Sequence, residues 1–448
     1  MLRQLALLTT VLVTPAAAQQ VRSHPVLDSI SRLALERNLG VKRAAERERG
    51  SAAGVRQARG LLLPSLGVEA RYSRADGALD VGDLVNPAYR ALNQLTSSSA
   101  FPTDISLTLP LRQETRLRMV VPVFNRAIHA GIDGAEANQS LRRAELDLAR
   151  RELDAEVRVA WVNWASASRA VEIWDATLVV LRENFRVAQR CVDAGTLTPD
   201  AVQRARASLA DAEQQRAEAV RTREAARGAV NVLVDQPDET PLSMPVGTDS
   251  LWNSEITLDA AVQSASKREE RRMALAASDG ARAQGRAANS AFLPTLNLAL
   301  DYGIQGNDYA FDRRHDVAMA SVVLSWNLFN GGQDVARRQA AAAASRESAL
   351  QLAEVDRRIA LHVRTAWDAV QVARTAMTAA DARLSAARSA FKLIDRRFIE
   401  GLASHLEWSD ARAQLTSSEL NQVLTRYQMA VRGIALERAA ALRELRHN

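Results

Sequence analysis

Apolar residues recur every seventh position along two seams of this chain, and the whole pattern occurs twice. The first seam runs through Leu146, Leu153, Ala160, Ala167, Trp174, Leu181 and Ala188 and returns 206 residues later as Leu352, Ile359, Ala366, Ala373, Ala380, Ala387 and Ile394. The second runs through Val157, Trp164, Val171, Leu178, Phe185 and Val192 and returns at the same offset as Val363, Val370, Met377, Leu384, Phe391 and Phe398. Heptads sustained on two seams dictate long helices in coiled-coil packing. Their duplication makes the chain two copies of one long unit.

Composition agrees with a few very long elements. The 448 residues include only 20 Gly and 12 Pro, and aromatics make up 4%. Ala and Arg dominate, so the seams are thin and built of small residues on which helices approach closely. The formal charge of +6 arises from 58 basic and 52 acidic residues spread along the same helices. That distribution is a solvated face, without the basic block and interleaved aromatics of a nucleic-acid binder.

The first 18 residues read as a secretory signal: Arg3, an apolar run from Leu5 to Val13, and Ala16, Ala17 and Ala18 before Gln19. The run is shorter than the roughly 20 apolar residues of a membrane anchor. Cys191 stands alone, so it forms no internal disulfide, and no cysteine follows the cleavage point to carry lipid. Its expected role is packing near a helix end.

Beyond the signal no apolar stretch reaches the length of a spanning helix, so any membrane part must be strands. Leu66, Val68, Ala70 and Tyr72 alternate with polar or small residues, as do Leu117, Met119, Val121 and Val123. Leu296, Leu298, Leu300 and Tyr302 repeat the pattern, and so do Ala318, Ala320, Val322, Leu324, Trp326 and Leu328. Each run has about the 9 to 11 residues of a tilted transmembrane strand. The competing reading is a pair of soluble hairpins packed on the helices. Four strands cannot close a barrel, and lipid tolerates no open sheet edge. If the runs are transmembrane, three copies supply twelve strands and close it.

The helices between these runs are hairpins. No proline interrupts Arg126 to Val192, which as one helix is on the order of 100 Å long. Gly195 and Gly401 end the descending helices, and Thr198 and Ser404 are placed to cap the returning ones. The resulting plan is a signal at 1–18, a first repeat at 19–234, a helix-breaking linker at 235–258 (Pro237, Pro241, Pro245 and Trp252), and a second repeat at 259–448. Strands are expected at about 65–74, 115–124, 295–303 and 316–328, and hairpin tips at about 194–199 and 400–405.

Chemistry-bearing motifs are missing. The six histidines are scattered, with no ligand-spaced pair, and no P-loop, dinucleotide fingerprint or nucleophile elbow occurs. Gly331 and Gly332 lack the lysine of a phosphate loop and read as a strand-to-helix turn. The expectation is a protein with no catalytic residues, cofactor or metal. Glu407 and Asp410, three apart on one helix face, read by spacing alone as a solvated surface.

Six segments carry a resemblance. They are Leu63-Pro64-Ser65-Leu66, Leu293-Pro294-Thr295-Leu296, Pro122-Val123-Phe124-Asn125, Trp326-Asn327-Leu328-Phe329-Asn330-Gly331-Gly332, Ala194-Gly195-Thr196-Leu197-Thr198 and Glu400-Gly401-Leu402-Ala403-Ser404. In their order and duplication the chain resembles the TolC family of trimeric outer-membrane efflux ducts. The resemblance implies a mainly α protein with a β membrane part, trimeric, with a twelve-stranded outer-membrane barrel and a periplasmic tunnel of helices. It implies that the linker and C-terminus form a belt around that tunnel.

It further implies a passive exit duct for a tripartite efflux pump or a type I secretion system. A periplasmic adaptor would dock at the tips, Gly195, Thr196, Leu197 and Thr198 with Gly401, Leu402, Ala403 and Ser404, and link the duct to an inner-membrane pump. Glu407 and Asp410 match the family's acidic constriction, with Glu in place of the usual first Asp. The corresponding first-repeat residues, Ala201 and Arg204, lack carboxylates, which leaves Arg204 to pair with Asp410 of a neighbouring copy at the gate. The alternative is an envelope coiled-coil scaffold that conducts nothing.

Overall fold

Coiled-coil stripes become helices only when something covers them, and in this chain the cover comes both from within a repeat and from the other repeat. The computed structural model describes residues 25–74, 79–106, 108–109, 112–244, 252, 256–306, 313 and 315–443; the expected signal at 1–18 lies outside them. In chain order the elements are α1 (Pro25–Arg37), α2 (Leu39–Gly60), β1 (Ser65–Tyr72), β2 (Leu79–Asp80), α3 (Val81–Thr96), β3 (Thr108–Leu109), β4 (Gln113–Phe124), α4 (Arg126–Asp193) and α5 (Pro199–Leu233). There follow α6 (Leu258–Ser264), α7 (Glu269–Ser290), β5 (Thr295–Gly306), β6 (Asp316–Ser325), α8 (Gln333–Ile399) and α9 (His405–Ala439). The long helices α4 and α8 have 68 and 67 residues, and their returning partners α5 and α9 have 35 each.

Two compact units divide the chain. One takes in residues up to Arg47, Arg143–Met273 and Ala353 onward; the other takes in Glu48–Arg142 and Ala274–Leu352. Each unit draws on both repeats, so compactness cuts across the sequence duplication.

In the first unit the heptad residues of α4 and α8 are all buried or half-buried. The main core joins Leu27 of α1, Trp161 and Trp164 of α4, Val230 of α5, Val363 and Val370 of α8, and Tyr427 and Ile434 of α9. Between the apolar rows lies a buried ionic network that the heptads do not announce. Arg158 pairs with Glu437 and lies 3.7 Å from Asp154, whose carboxylate accepts from Ser31. Arg443 reaches Asp28 at 2.6 Å and Asp154 at 3.5 Å, and Arg151 grips Glu269 through two bonds of 2.8 and 2.9 Å. Such charges contribute to a fold only while every partner stays in place. They tie α1, α4, α7 and the end of α9 into one arrangement.

Trp252, from the linker, is buried against α9, where Gly433 makes room for it. A Cβ on Gly433 would meet the indole at 2.1 Å. The rest of residues 245–255 lies outside the described ones.

In the second unit the four long strands form one antiparallel sheet in the order β1-β4-β5-β6. The central pairing, β4 with β5, joins the two repeats. The strands depart from expectation at their ends: β1 stops at Tyr72, β4 begins at Gln113, β5 continues to Gly306 and β6 stops at Ser325. A bulge between Pro122 and Phe124 interrupts the ladder at Val123, because proline lacks the N–H that the pairing needs. Between β1 and β4 the chain inserts α3, an element the alternation pattern does not signal. Its Asn86 side chain bonds both backbone groups of Ile105, at 2.7 and 3.0 Å, and Asn93 does the same for Phe101.

The Trp252 seat gives a direct test. Gly433→Ala should destabilise the protein by about 1–3 kcal/mol, the cost of overpacking, read as a lower thermal midpoint. In a Trp252→Ala background most of that penalty should vanish, because the two changes act on one contact.

Candidate functional site

The hairpin ends and the sheet are where this fold presents unusual surfaces. Both hairpins turn through the same helix-ending motif. Thr196 N–H donates to Cys191 O at 2.9 Å and Gly195 N–H to Val192 O at 2.9 Å; Leu402 N–H donates to Arg397 O at 2.7 Å and Gly401 N–H to Phe398 O at 3.1 Å. Each glycine has positive φ, +69° at Gly195 and +74° at Gly401, which L side chains rarely adopt. Gly195, Thr196, Thr198, Gly401, Leu402 and Ser404 are exposed, while Leu197 and Ala403 are half-buried.

The two tips then diverge. Ser404 caps α9 in a complete capping box: Glu407 N–H donates to its hydroxyl at 3.2 Å, and Glu407 Oε2 accepts from Ser404 N–H at 2.7 Å. Those bonds, from the backbone first and then the hydroxyl, hold the Glu407 carboxyl below the usual carboxylate range. Thr198 occupies the same position before α5 but makes no side-chain cap bond. Its hydroxyl is drawn instead to the Asp200 carboxylate, which also lies 3.4 Å from Arg204. Within one chain Arg204 is therefore committed to its own helix. Asp410 is exposed one turn beyond Glu407, on the same helix face.

Behind the second tip stand residues that the sequence reading passed over. Phe391, Phe398, His405 and Trp408 form an aromatic cluster with centroids 5.8 to 6.4 Å apart. Trp408 Nε1 donates to Asp395 at 2.8 Å. His405 is buried, with its Nε2 3.1 Å from Asn184 Nδ2 of α4. Arg412 is buried too: its Nη2 donates to Thr177 Oγ1 at 3.0 Å and its guanidinium lies 5.5 Å from the Phe391 ring centre. No carboxylate among the described residues is within salt-bridge distance of it, and burial lowers its pKa. The available signal was seven-residue spacing, shared by Thr177 with Asn184 and by His405 with Arg412, but in polar residues that a search for apolar stripes discards.

The sheet segregates its faces by register. Val68, Leu117, Tyr302 and Ala318 fall in one cross-strand row, and Leu66, Met119, Leu300 and Ala320 in the next, all on one face. That face is open: Val68 is 71% exposed and Val322 70%. The other face carries an ionic ladder. Arg71 to Glu114 is 2.7 Å, Arg116 to Glu114 2.6 Å, Arg118 to Glu69 3.1 Å and Arg118 to Asp301 2.8 Å. Strands β1 and β6 are the sheet's edges. Among the described residues no helix is long and apolar enough to cross a membrane.

Comparison with known proteins adds independent findings. A family profile described as outer membrane efflux protein matches residues 30–234 and 261–442. Among solved structures the chain is similar to the channel CusC, at 17% identity over 96% of this chain and 95% of that one, with a TM-score of 0.80. It is also similar to the open state of the Neisseria gonorrhoeae MtrE outer membrane channel, at 20% identity over 95% and 93%, with a TM-score of 0.76. The Vibrio cholerae outer membrane protein VceC matches at 19% identity over 92% and 95%, with a TM-score of 0.75. A search of curated proteins finds no match.

The unequal caps predict unequal responses. Ser404→Ala should raise amide exchange in the first turn of α9 roughly fivefold, the effect of a typical lost N-cap. Thr198→Ala should leave the first turn of α5 nearly unchanged, as followed by hydrogen–deuterium exchange.

Proposed function

The chain belongs to the outer membrane efflux protein family, and from that premise we propose how its parts divide the work of an outer-membrane exit duct. Members of this family are channels rather than enzymes, and the proposal assigns no catalytic residue, cofactor or metal to this one. The observation that carries it is the sheet: one apolar face left open, one ionic face, and unpaired edges at β1 and β6. In lipid such edges must be paired. Three copies, each placing β6 beside β1 of the next, close a twelve-stranded barrel with the ionic face toward its lumen. A non-conducting scaffold leaves the apolar face of the sheet without a purpose.

The α-helical hairpins extend into the periplasm, where energy for transport comes from an inner-membrane pump through an adaptor. The tips, Gly195 to Thr198 and Gly401 to Ser404, dock that adaptor. Two from each chain give six sites per trimer. Leu402 is 64% exposed at the second tip and is suited to apolar contact with a partner hairpin. Glu407 and Asp410 line the periplasmic gate, where threefold repetition brings six carboxylates around one opening. Arg204 of a neighbouring copy, released from Asp200, supplies a countercharge to Asp410.

Recordings from single channels in planar bilayers test the gate. The Glu407→Gln, Asp410→Asn double variant should lose cation preference and block by divalent cations, because the carboxylate ring that concentrates cations is gone. Unchanged selectivity would put the constriction elsewhere.

The tips are tested separately. Leu197→Asp and Leu402→Asp should each abolish efflux in cells while the assembled trimer stays at its normal level. Wild-type resistance in both variants would remove the tips from the docking surface.

A further inference from the structure

The contact between α4 and α9 changes character along its length. Far from the tips it joins an apolar core, with Trp161 and Trp164 beside Tyr427 and Ile434, to the buried ion pair of Arg158 and Glu437. Toward the tips buried polar contacts stand among the apolar residues Leu178, Leu181 and Trp408: Thr177 meets Thr416 and Arg412, and one heptad further on Asn184 meets His405. The polar stretch is poorly satisfied. Arg412 Nε and His405 Nδ1 are buried and have no hydrogen-bond partner among the described residues; the same holds for Arg158 Nε and Glu437 Oε1 at the far end, but there each charge has an opposite charge beside it, which Arg412 lacks. An apolar seam resists water, whereas a seam of under-bonded polar groups gains hydrogen bonds when water enters.

His405 is the one group in this stretch whose charge changes near neutral pH. It is 8% exposed, at the first position of α9, and it faces charged residues from two other elements. From α5 come Arg204, which opposes protonation, and Asp200, which favours it. From α8 the nearby carboxylate of Asp395 is taken up by Trp408, and Arg397 acts on Glu407. On α9 itself Glu407 is held in the capping box and the buried Arg412 follows seven residues on, while from α4 the uncharged Asn184 meets the ring. We propose that His405 is a proton-operated clasp: neutral, it seats the tip end of α9 against α4; protonated, it leaves the seam, and the two hairpins part from Thr177 to the tips.

The sign follows from the burial. Desolvation first, and Arg204 second, lower the pKa of the seated imidazole, whereas a released imidazole titrates near its ordinary value of about 6.5. The clasp is therefore at full strength above about pH 6.5. Below that value it weakens by up to about tenfold per pH unit, until the seated ring itself takes a proton. The seam lies within one chain, so the clasp does not depend on the duct reading, which decides only what its opening achieves.

Spin labels at Gln189→Cys on α4 and Leu402→Cys at the second tip, in a Cys191→Ser background, report the separation of the hairpins. The purified full-length protein is measured in detergent, with labelled chains diluted into unlabelled ones so that only distances within a chain appear. Lowering the pH from 7.5 to 5.5 should increase a longer-distance population several-fold. His405→Gln, which keeps an amide contact to Asn184 but takes no proton, should abolish the pH response. Arg204→Gln should shrink the pH response, because without the repelling cation the seated imidazole accepts a proton more readily and protonation favours release less. A wild-type distance that does not change with pH, the same response in His405→Gln, or an undiminished response in Arg204→Gln each overturns the clasp.

Discussion

The cover that each repeat provides for the other repeat's apolar stripe is the interaction on which the first unit depends. A 68-residue helix with two seams of small residues has no stable existence alone, because its stripe faces water. Trp161, Trp164 and Val157 on α4 are shut away only where helices of the second repeat, or α1 and α5, lie over them. The same dependence explains why the compact units ignore the repeat boundary. The central core around Trp161, Trp164, Val363 and Val370 is closed only by the two copies together.

On that apolar frame the polar interior has two regimes. Around Arg158 and Arg151 the buried charges are answered by carboxylates at short range, and they hold α1, α7 and the end of α9 to α4. Around Arg412 and His405 the buried groups are answered by a hydroxyl, a ring face and an amide. Breaking one partner of the first set strands a charge and is strongly unfavourable. Parting the second set returns under-bonded groups to water. One helix pair thus carries a fixed end and an end disposed to open, and the disposition lies on the side of the tips.

The sheet follows a parallel logic. Pairing of β4 with β5 brings the two repeats together, and its register places the rows from Leu66 to Ala320 and from Val68 to Ala318 on one face and the ladder from Arg71 to Asp301 on the other. A slip of one residue would exchange the faces. The ionic ladder opposes that slip, since Arg118 would lose both Glu69 and Asp301. On the proposed function the open apolar face is the surface for lipid, and the β1 and β6 edges are what a further copy would satisfy.

Much of this protein was legible in its sequence. Seven-residue periodicity and the lack of proline marked α4 almost to the residue, and Gly195 and Gly401 marked the turns, because local backbone preferences decide where helices run and stop. Alternation marked the strands and their apolar face, because side chains on a strand must point to opposite sides. Tertiary structure alone decided which polar residues are buried and whom they meet. Ser404 and Thr198 occupy equivalent positions, yet only one caps its helix, since Asp200 competes for the Thr198 hydroxyl. Asn184 and His405 stand 221 residues apart, and no local rule relates them. Their contact exists because two covered stripes, packed for apolar reasons, bring polar residues of different helices within a hydrogen bond of each other.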